Sequence, residues 1–328
     1  MELKGIHHIT AITGDAPGNV DFYVRVLGLR MVKKTVNFDV PDVYHLYFAD
    51  ETGSPGSVLT FFEYPGASRG RHGSGMIHTI QWGVGSAEAL DFWADRLSSE
   101  GFDSSRTGDS LRFEDPEGLG IELVVDPPGQ ASLAAAWDEV PEEFALRGFA
   151  GVKVYGRVPG ASERKAAAGG RPILDSGSVL TETLGFEPVA GRPGAYQLAA
   201  GGRTATYAYQ EPPPERGFQG AGSVHHIAWA CEPDDQPGWQ KKVAEGYLNP
   251  TPIIDRQYFY SIYFREPSGV LFEIATIGPG FGIDEPLDRL GESLQLPPQH
   301  ESRRAQLEIR LTPLTNPRTG RPAPRSGR

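Results

Sequence analysis

The chain has 328 residues, 31 of them basic and 42 acidic, for a formal net charge of −11 at pH 7. That balance supplies no positive face for nucleic acid, the lone Cys231 cannot build an intrachain disulfide framework, and no run of about 18 apolar residues is available to span a bilayer. With no basic stretch leading into an apolar one near Met1, the expectation is a cytoplasmic protein that binds neither nucleic acid nor membrane.

In chain order, GIHHITAITG (from Gly5) reads as a short strand, DFYVRVLGLR as an amphipathic helix ending near a glycine, and VYHLYFAD and GSVLTFFEY as further strands. MIHTIQWGV opens the same succession again, with a helix ending at SEGF and last strands joined by the turn D-P-E-G. GFAGVKVYG (from Gly148) begins a third round, with a helix at SVLTETLGFE and a strand at TATYAY. Residues 157–177 interrupt it and read as a mobile surface insertion. VHHIAWA begins a fourth, with a helix ending at AEGY and the turn E-P-S-G before LFEIATI. Each quarter is β-α-β-β-β and roughly 50–65 residues long, too small to bury both faces of its sheet alone. The expected fold class is α+β: four βαβββ modules paired into two domains, 1–140 and 145–280, with curved mixed sheets around a cleft. A C-terminal extension (281–312) and a disordered tail (313–328) follow, the tail being rich in Pro, Gly and Arg without apolar periodicity.

Quarters two and four align most closely. LRFEDPEGLGIELVVD set under IYFREPSGVLFEIATI puts Asp115 on Glu266, Gly118 on Gly269 and Glu122 on Glu273, and MIHTIQWGV set under VHHIAWACE puts His78 on His226. In such a unit the first and last strands are neighbours, so a histidine on one and a carboxylate on the other converge. His226 and Glu273 hold these places in quarter four and His8 the first of them in quarter one, where Thr60 or Phe61, neither a good ligand, stands near the other. Two histidines, one carboxylate and a vacancy make the facial triad that holds Fe(II) and leaves positions open. The plain alternative for each histidine is a hydrogen-bonded core residue, but a lone carboxylate in LFEIA is costly to bury unless paired, and a metal resolves that cost.

The alignment with His78, preceded by Ile77, selects the second member of each HH pair as the ligand. Side chains alternate along a strand, so His7 and His225 are not ligands, and they are expected behind the ligands or beside a substrate. Quarters two and three offer His78 and Glu122, but Gly151 stands where His8 does, and a vestigial second site is expected there.

The stretches HHITAITGDAPGNVDFYVRVLGLR, VKKTVNFDVPDVYHLYFADETGSPGSVLTFFEYP, VHHIAWA and DRQYFYSIYFREPSGVLFEIATIGPGFGIDE resemble the vicinal oxygen chelate superfamily of glyoxalases, resistance proteins and extradiol dioxygenases. They are most similar to its hydroquinone-type ring-cleaving dioxygenases, and the resemblance runs nearly to residue 312. It implies Fe(II), or Mn(II) in its place, on His8, His226 and Glu273, with His7, His225, Arg256 and Tyr263 around the reacting groups. It implies as substrates O2 and a small aromatic diol of hydroquinone or catechol type. A glyoxalase-type isomerase or lyase and a metal-free small-molecule-binding protein are the alternatives on the same fold. Arg256 is read as a partner for an anionic substrate, for Glu273, or for Asp255 or Glu266. His45 is read as able to reach the cleft, Tyr258, Phe259 and Tyr260 as divided between core and wall, and His72 and His300 as surface residues. Exposed sheet edges make a homo-oligomer the expectation.

Overall fold

Every residue of Ile6–Thr13 is buried, so this first strand (β1) is covered on both faces and lies deep within a sheet. A computed structural model describes residues 1–157 and 175–318 and the backbone of 321–322. Quarter one continues with helix α1 (Ala16–Val20), a π-helical turn (Asp21–Val26), β2 (Arg30–Val36), β3 (Tyr44–Ala49) and β4 (Val58–Glu63). Quarter two has β5 (Met76–Val84), α2 (Ala87–Ser99), β6 (Ser104–Thr107), β7 (Ser110–Glu114) and β8 (Gly120–Val125). Quarter three has β9 (Phe149–Tyr155), α3 (Ser176–Ser178) running into a π-helical turn (Val179–Thr183), β10 (Glu187–Pro188), β11 (Ala195–Ala200) and β12 (Arg203–Gln210). Quarter four has β13 (Val224–Cys231), α4 (Gln236–Glu245), β14 (Ile254–Asp255), β15 (Phe259–Arg265) and β16 (Leu271–Pro279).

Local chemistry sets the boundaries. Ser86 caps α2 by accepting from Ala89 N, and α2 turns Ala89, Leu90, Trp93 and Leu97 inward. The D-P-E-G turn is held by Asp115, whose side chain accepts from Glu117 N and Leu119 N at 2.9 and 2.8 Å. Its glycine, Gly118, sits at φ +91°, where an added Cβ would also strike the Arg69 guanidinium.

The strands form two eight-stranded mixed sheets, ordered β14-β15-β16-β13-β1-β4-β3-β2 and β10-β11-β12-β9-β5-β8-β7-β6. The α+β architecture of paired modules is therefore present, but the pairing is one with four and two with three. Chain order suggested domains at 1–140 and 145–280; both sheets cross that division. The reason lies in the first strands. Each pairs in parallel with its own last strand and needs a second neighbour on its other side. β5 takes β9, and β1 and β13 are left to pair across the length of the chain.

All four first strands carry a one-residue bulge at the same place, Ala150 being the extra residue of β9. Ile6 and His8 lie opposite the adjacent residues Trp229 and Ala228, so His7 is the extra residue in β1; His225 is extra in β13 and His78 in β5. Register then makes Trp82 the counterpart of Trp229, because Gln81 faces Glu122 as Ala228 faces Glu273. His78 accordingly corresponds to His225, and Thr79 to His226. The ungapped alignment that set His78 on His226 is one residue out of register.

The C-terminal extension packs against the β2 end of the first sheet, burying Leu290, Leu294, Leu307 and Leu311. The fully buried Lys33 ammonium is met there by Asp284 (2.6 Å), Glu285 (2.5 Å) and the Phe281 carbonyl (3.1 Å). Part of the expected tail also has structure, since Leu314 is buried and Arg318 donates to Glu51 at 2.9 Å. Most of the expected insertion (158–174) and residues 319, 320 and 323–328 lie outside the described residues.

Candidate metal centre and cavity

The join between β1 and β13 brings quarters one and four together at the first-strand histidines. His8 Nε2 lies 3.2 Å from His226 Nε2, and Glu273 Oε2 lies 3.2 Å from the first and 2.9 Å from the second. All three side chains are buried. Among the described residues, this is the one group of three His, Cys, Asp or Glu side chains whose ligand atoms lie within 4.8 Å of one another.

The companion histidines fix how protons are distributed. His7 Nε2 lies 3.1 Å from the Thr276 carbonyl, which can only accept, so His7 donates from Nε2. A neutral His7 then accepts at Nδ1, 2.8 Å from His8 Nδ1, and His8 must donate there. His8 Nε2 is left as a bare lone pair aimed at the cluster. His225 and His226 repeat the 2.8 Å Nδ1 contact. Burial, then the neighbouring His8, push the His7 pKa down to about 3; burial and His226 do the same to His225. Both companions are neutral at physiological pH.

Burial acts against the Glu273 carboxylate, but the adjacent His8 and His226 outweigh it and hold its pKa well below the usual range. Ser261 donates to its Oε1. Its Oε2 is buried and receives no hydrogen bond of acceptable geometry, despite the two nearby nitrogens. The donor set fits a metal ion on these grounds. An orphaned, ionised oxygen and a bare imidazole nitrogen converge beside a second imidazole. Their separations match the edge of about 3.0 Å that neighbouring ligands span when each is about 2.1 Å from a metal.

The cluster opens onto a cavity of about 330 Å³ whose wall includes His8, His226, His225, His45, Tyr47, Arg256 and Tyr263, with Phe38, Phe62, Phe259 and Leu271 as its apolar part. Such a mixture of apolar wall and few polar groups suits a small organic ligand. Arg256 donates from Nε to Tyr263 Oη (3.2 Å) and from Nη1 to Asp39 Oδ2 (3.1 Å), not to Asp255 or Glu266. His7 does not line the cavity: its ring is held between His8, the Thr276 carbonyl and Phe259. Of the aromatic trio, Phe259 is wall, Tyr258 is buried and donates to Asp284, and Tyr260 is 44% exposed.

The other sheet has lost the set. Thr79 and Gly151 stand at the two histidine places, and Glu122 is bound by Lys153 (2.6 Å), Arg112 (2.7 Å) and Gln81 (2.8 Å). An ammonium takes up the charge that a metal would answer. Sequence reasoning did not single out Ser261, Thr10 or Tyr47. Their signal was periodic: Ser261 precedes Tyr263 as His45 precedes Tyr47, two residues before an aromatic on the same face of the strand.

A family model described as the Glyoxalase/Bleomycin resistance protein/Dioxygenase superfamily matches residues 5–123 and 178–274. MhqA of Bacillus subtilis (strain 168), provisionally named a ring-cleaving dioxygenase, is 41% identical over 96% of this chain and 100% of its own length. A chlorohydroquinone/hydroquinone 1,2-dioxygenase of Sphingobium indicum is 34% identical over 93% of this chain and 95% of its own. A crystal structure from Bacillus subtilis, provisionally described as a dioxygenase, superposes with a TM-score of 0.85 at 38% identity, covering 96% of this chain and 98% of the other. Glyoxalase I from Zea mays shares the fold at a TM-score of 0.55 and 13% identity, covering 84% of this chain and 92% of its own.

Proposed function

The chain belongs to the glyoxalase/bleomycin resistance protein/dioxygenase superfamily, and from that premise we propose that it is an Fe(II)-dependent ring-cleaving dioxygenase that adds both atoms of O2 to a hydroquinone- or catechol-type diol. The observation that carries this reading is the set of acceptors His8, His226 and Glu273, converging without a fourth protein ligand among the described residues on the wall of a small aromatic-lined cavity. The ring-cleaving dioxygenase and chlorohydroquinone/hydroquinone 1,2-dioxygenase activities named for relatives at 41% and 34% identity support it.

His8, His226 and Glu273 would hold the ion, with Mn(II) able to take its place. When bound, it would lower the pKa of a diol hydroxyl and leave open positions for dioxygen. The chain's own groups do the rest. Tyr263 offers its hydroxyl to the diol oxygen nearest Glu273, and Arg256 steadies Tyr263 and favours an anionic oxygen there. His225, neutral and on the cavity wall, accepts at Nδ1 from His226 and so keeps its own proton on Nε2, which it offers to an oxygen in the cavity. His7 holds the His8 ring in the tautomer that bares Nε2. Phe38, Phe62 and Phe259 exclude water from the ring of the substrate.

A glyoxalase-type isomerase would need a fourth ligand and a glutamate base, and the place for it is filled by Thr60. The deciding experiment is anaerobic loading with Fe(II), addition of hydroquinone or catechol, and admission of oxygen. Equimolar loss of O2 and diol with a ring-opened chromophore is expected. Absence of O2 uptake with every diol tried would overturn the proposal.

A further inference from the structure

A chain of hydrogen bonds leads from the cavity wall into the sheet. Tyr47 Oη lies 2.9 Å from His45 Nδ1, His45 Nε2 lies 2.8 Å from Thr60 Oγ1, and Thr60 donates to Thr10 Oγ1 at 2.9 Å. The last of these bonds orients the others. Thr60 has one hydroxyl proton and gives it to Thr10, so toward His45 it can only accept, and His45 Nε2 carries a proton. Burial, and then the nearby His8 and His226, hold the His45 pKa well below its ordinary value and keep the ring neutral. Its Nδ1 is therefore the acceptor, and Tyr47 donates to it. Tyr47 thus turns toward the cavity an oxygen with lone pairs and no proton left to give.

Tyr263 has the opposite polarity. It stands opposite Glu273 in β15 and β16 as Tyr47 stands opposite Thr60 in β3 and β4, so the two phenols are repeat-related. Its oxygen accepts from Arg256, a bond that does not use its proton. One phenol donates, the other accepts. A diol with one ionised oxygen at the metal and one intact hydroxyl presents the matching pair.

We propose that Tyr47 is a substrate-binding residue accepting a hydrogen bond from the diol hydroxyl that is not bound to the metal, with His45 and Thr60 as the positioning residues that orient it. The proposal rests on the diol reading given above. A ring carrying an alkoxy group in place of that hydroxyl sets two acceptors against each other and loses the bond, and sites built to bind a hydroxyl discriminate strongly against analogues lacking its proton.

The test is equilibrium binding of hydroquinone and of 4-methoxyphenol to the full-length Fe(II)-loaded protein with oxygen excluded. The wild type is expected to prefer hydroquinone by about tenfold or more. Tyr47→Phe should weaken hydroquinone about tenfold and leave 4-methoxyphenol unchanged, so that the preference disappears. Thr60→Val, which breaks the chain, should lower the preference, and Thr60→Ser, which keeps a hydroxyl, should restore it. Equal losses for both phenols in Tyr47→Phe, no loss for either, or like behaviour of Thr60→Val and Thr60→Ser would overturn the proposal. A wild type that binds and prefers hydroquinone yet consumes no oxygen with it would sink the dioxygenase reading and leave this one standing. A wild type that binds neither phenol would end both.

Discussion

Thr60 holds in β4 the place that Glu273 holds in β16: each lies opposite the residue two positions past a first-strand histidine, Thr10 after His8 and Ala228 after His226. Two repeats that could each have supplied a carboxylate supply one between them. The pseudo-symmetry of the site is broken at this corner, and the corner is where a fourth ligand would close the open coordination on which the proposed dioxygenase reading depends.

The proposed ligand set makes the sharpest demand. His8→Ala, His226→Ala and Glu273→Ala should each weaken Fe(II) binding more than about 100-fold by titration calorimetry, because two ligands rarely hold a divalent ion. His78→Ala should bind Fe(II) as the wild type does. Loss of Fe(II) from the His78 variant would place the metal in the wrong sheet.

His7→Phe removes the acceptor that fixes the His8 tautomer while keeping a ring in the space. Orienting partners of ligating histidines commonly contribute 10–100-fold in metal affinity, and a loss in that range is expected by the same titration. Unchanged affinity would mean that His8 needs no help from its neighbour.

Lys153 is buried and neutralises Glu122, in the sheet that has lost its histidines. Lys153→Met leaves Glu122 with Arg112 and Gln81 alone, and breaking a buried pair costs about 3–5 kcal/mol. A drop near the lower end is expected in denaturant unfolding, with Fe(II) affinity unaltered. An effect on Fe(II) binding would show that the second sheet is no mere scaffold.

Asp115 ties the D-P-E-G turn to quarter one through the Tyr23 hydroxyl, which donates to it at 3.0 Å. Burial raises its pKa to about 6 despite three hydrogen bonds that favour ionisation. The unfolded value is about 3.9, so between about pH 4 and 6 the folded chain binds the extra proton and gains stability as pH falls. Going from pH 7 to pH 5, this carboxyl should add roughly 1 kcal/mol to stability. Asp115→Asn should remove that increment from paired denaturant curves at the two pH values; an identical increment in the variant would assign it elsewhere.

Much of this was legible along the chain because repeats carry their own evidence. The four βαβββ quarters, the D-P-E-G and E-P-S-G turns and the set His8, His226 and Glu273 follow from period, turn chemistry and the cost of an unpaired buried carboxylate. The position of His78 was misread because a bulge adds a residue without leaving a local mark in sequence, and ungapped alignment cannot see it. Strict alternation alone would send His7 and His225 to the far side of their strands; as the extra residues of two bulges they lie Nδ1 to Nδ1 against His8 and His226.

By itself, the sequence determined which elements form, which quarters hold chemistry and which residue types converge, since these depend on local periodicity and on repeats that can be compared. The ligand set already required the first strands of quarters one and four to meet; only the tertiary structure decided that they do so as hydrogen-bonded neighbours in one sheet, with quarters two and three in the other. That choice depends on strand neighbours more than 200 residues apart in the chain, His8 beside His226 among them. It also decided the polarity of the wall. Whether Tyr47 gives or takes a hydrogen bond is fixed by Thr60 and Thr10, two strands away, and such direction exists only once the strands have been laid side by side.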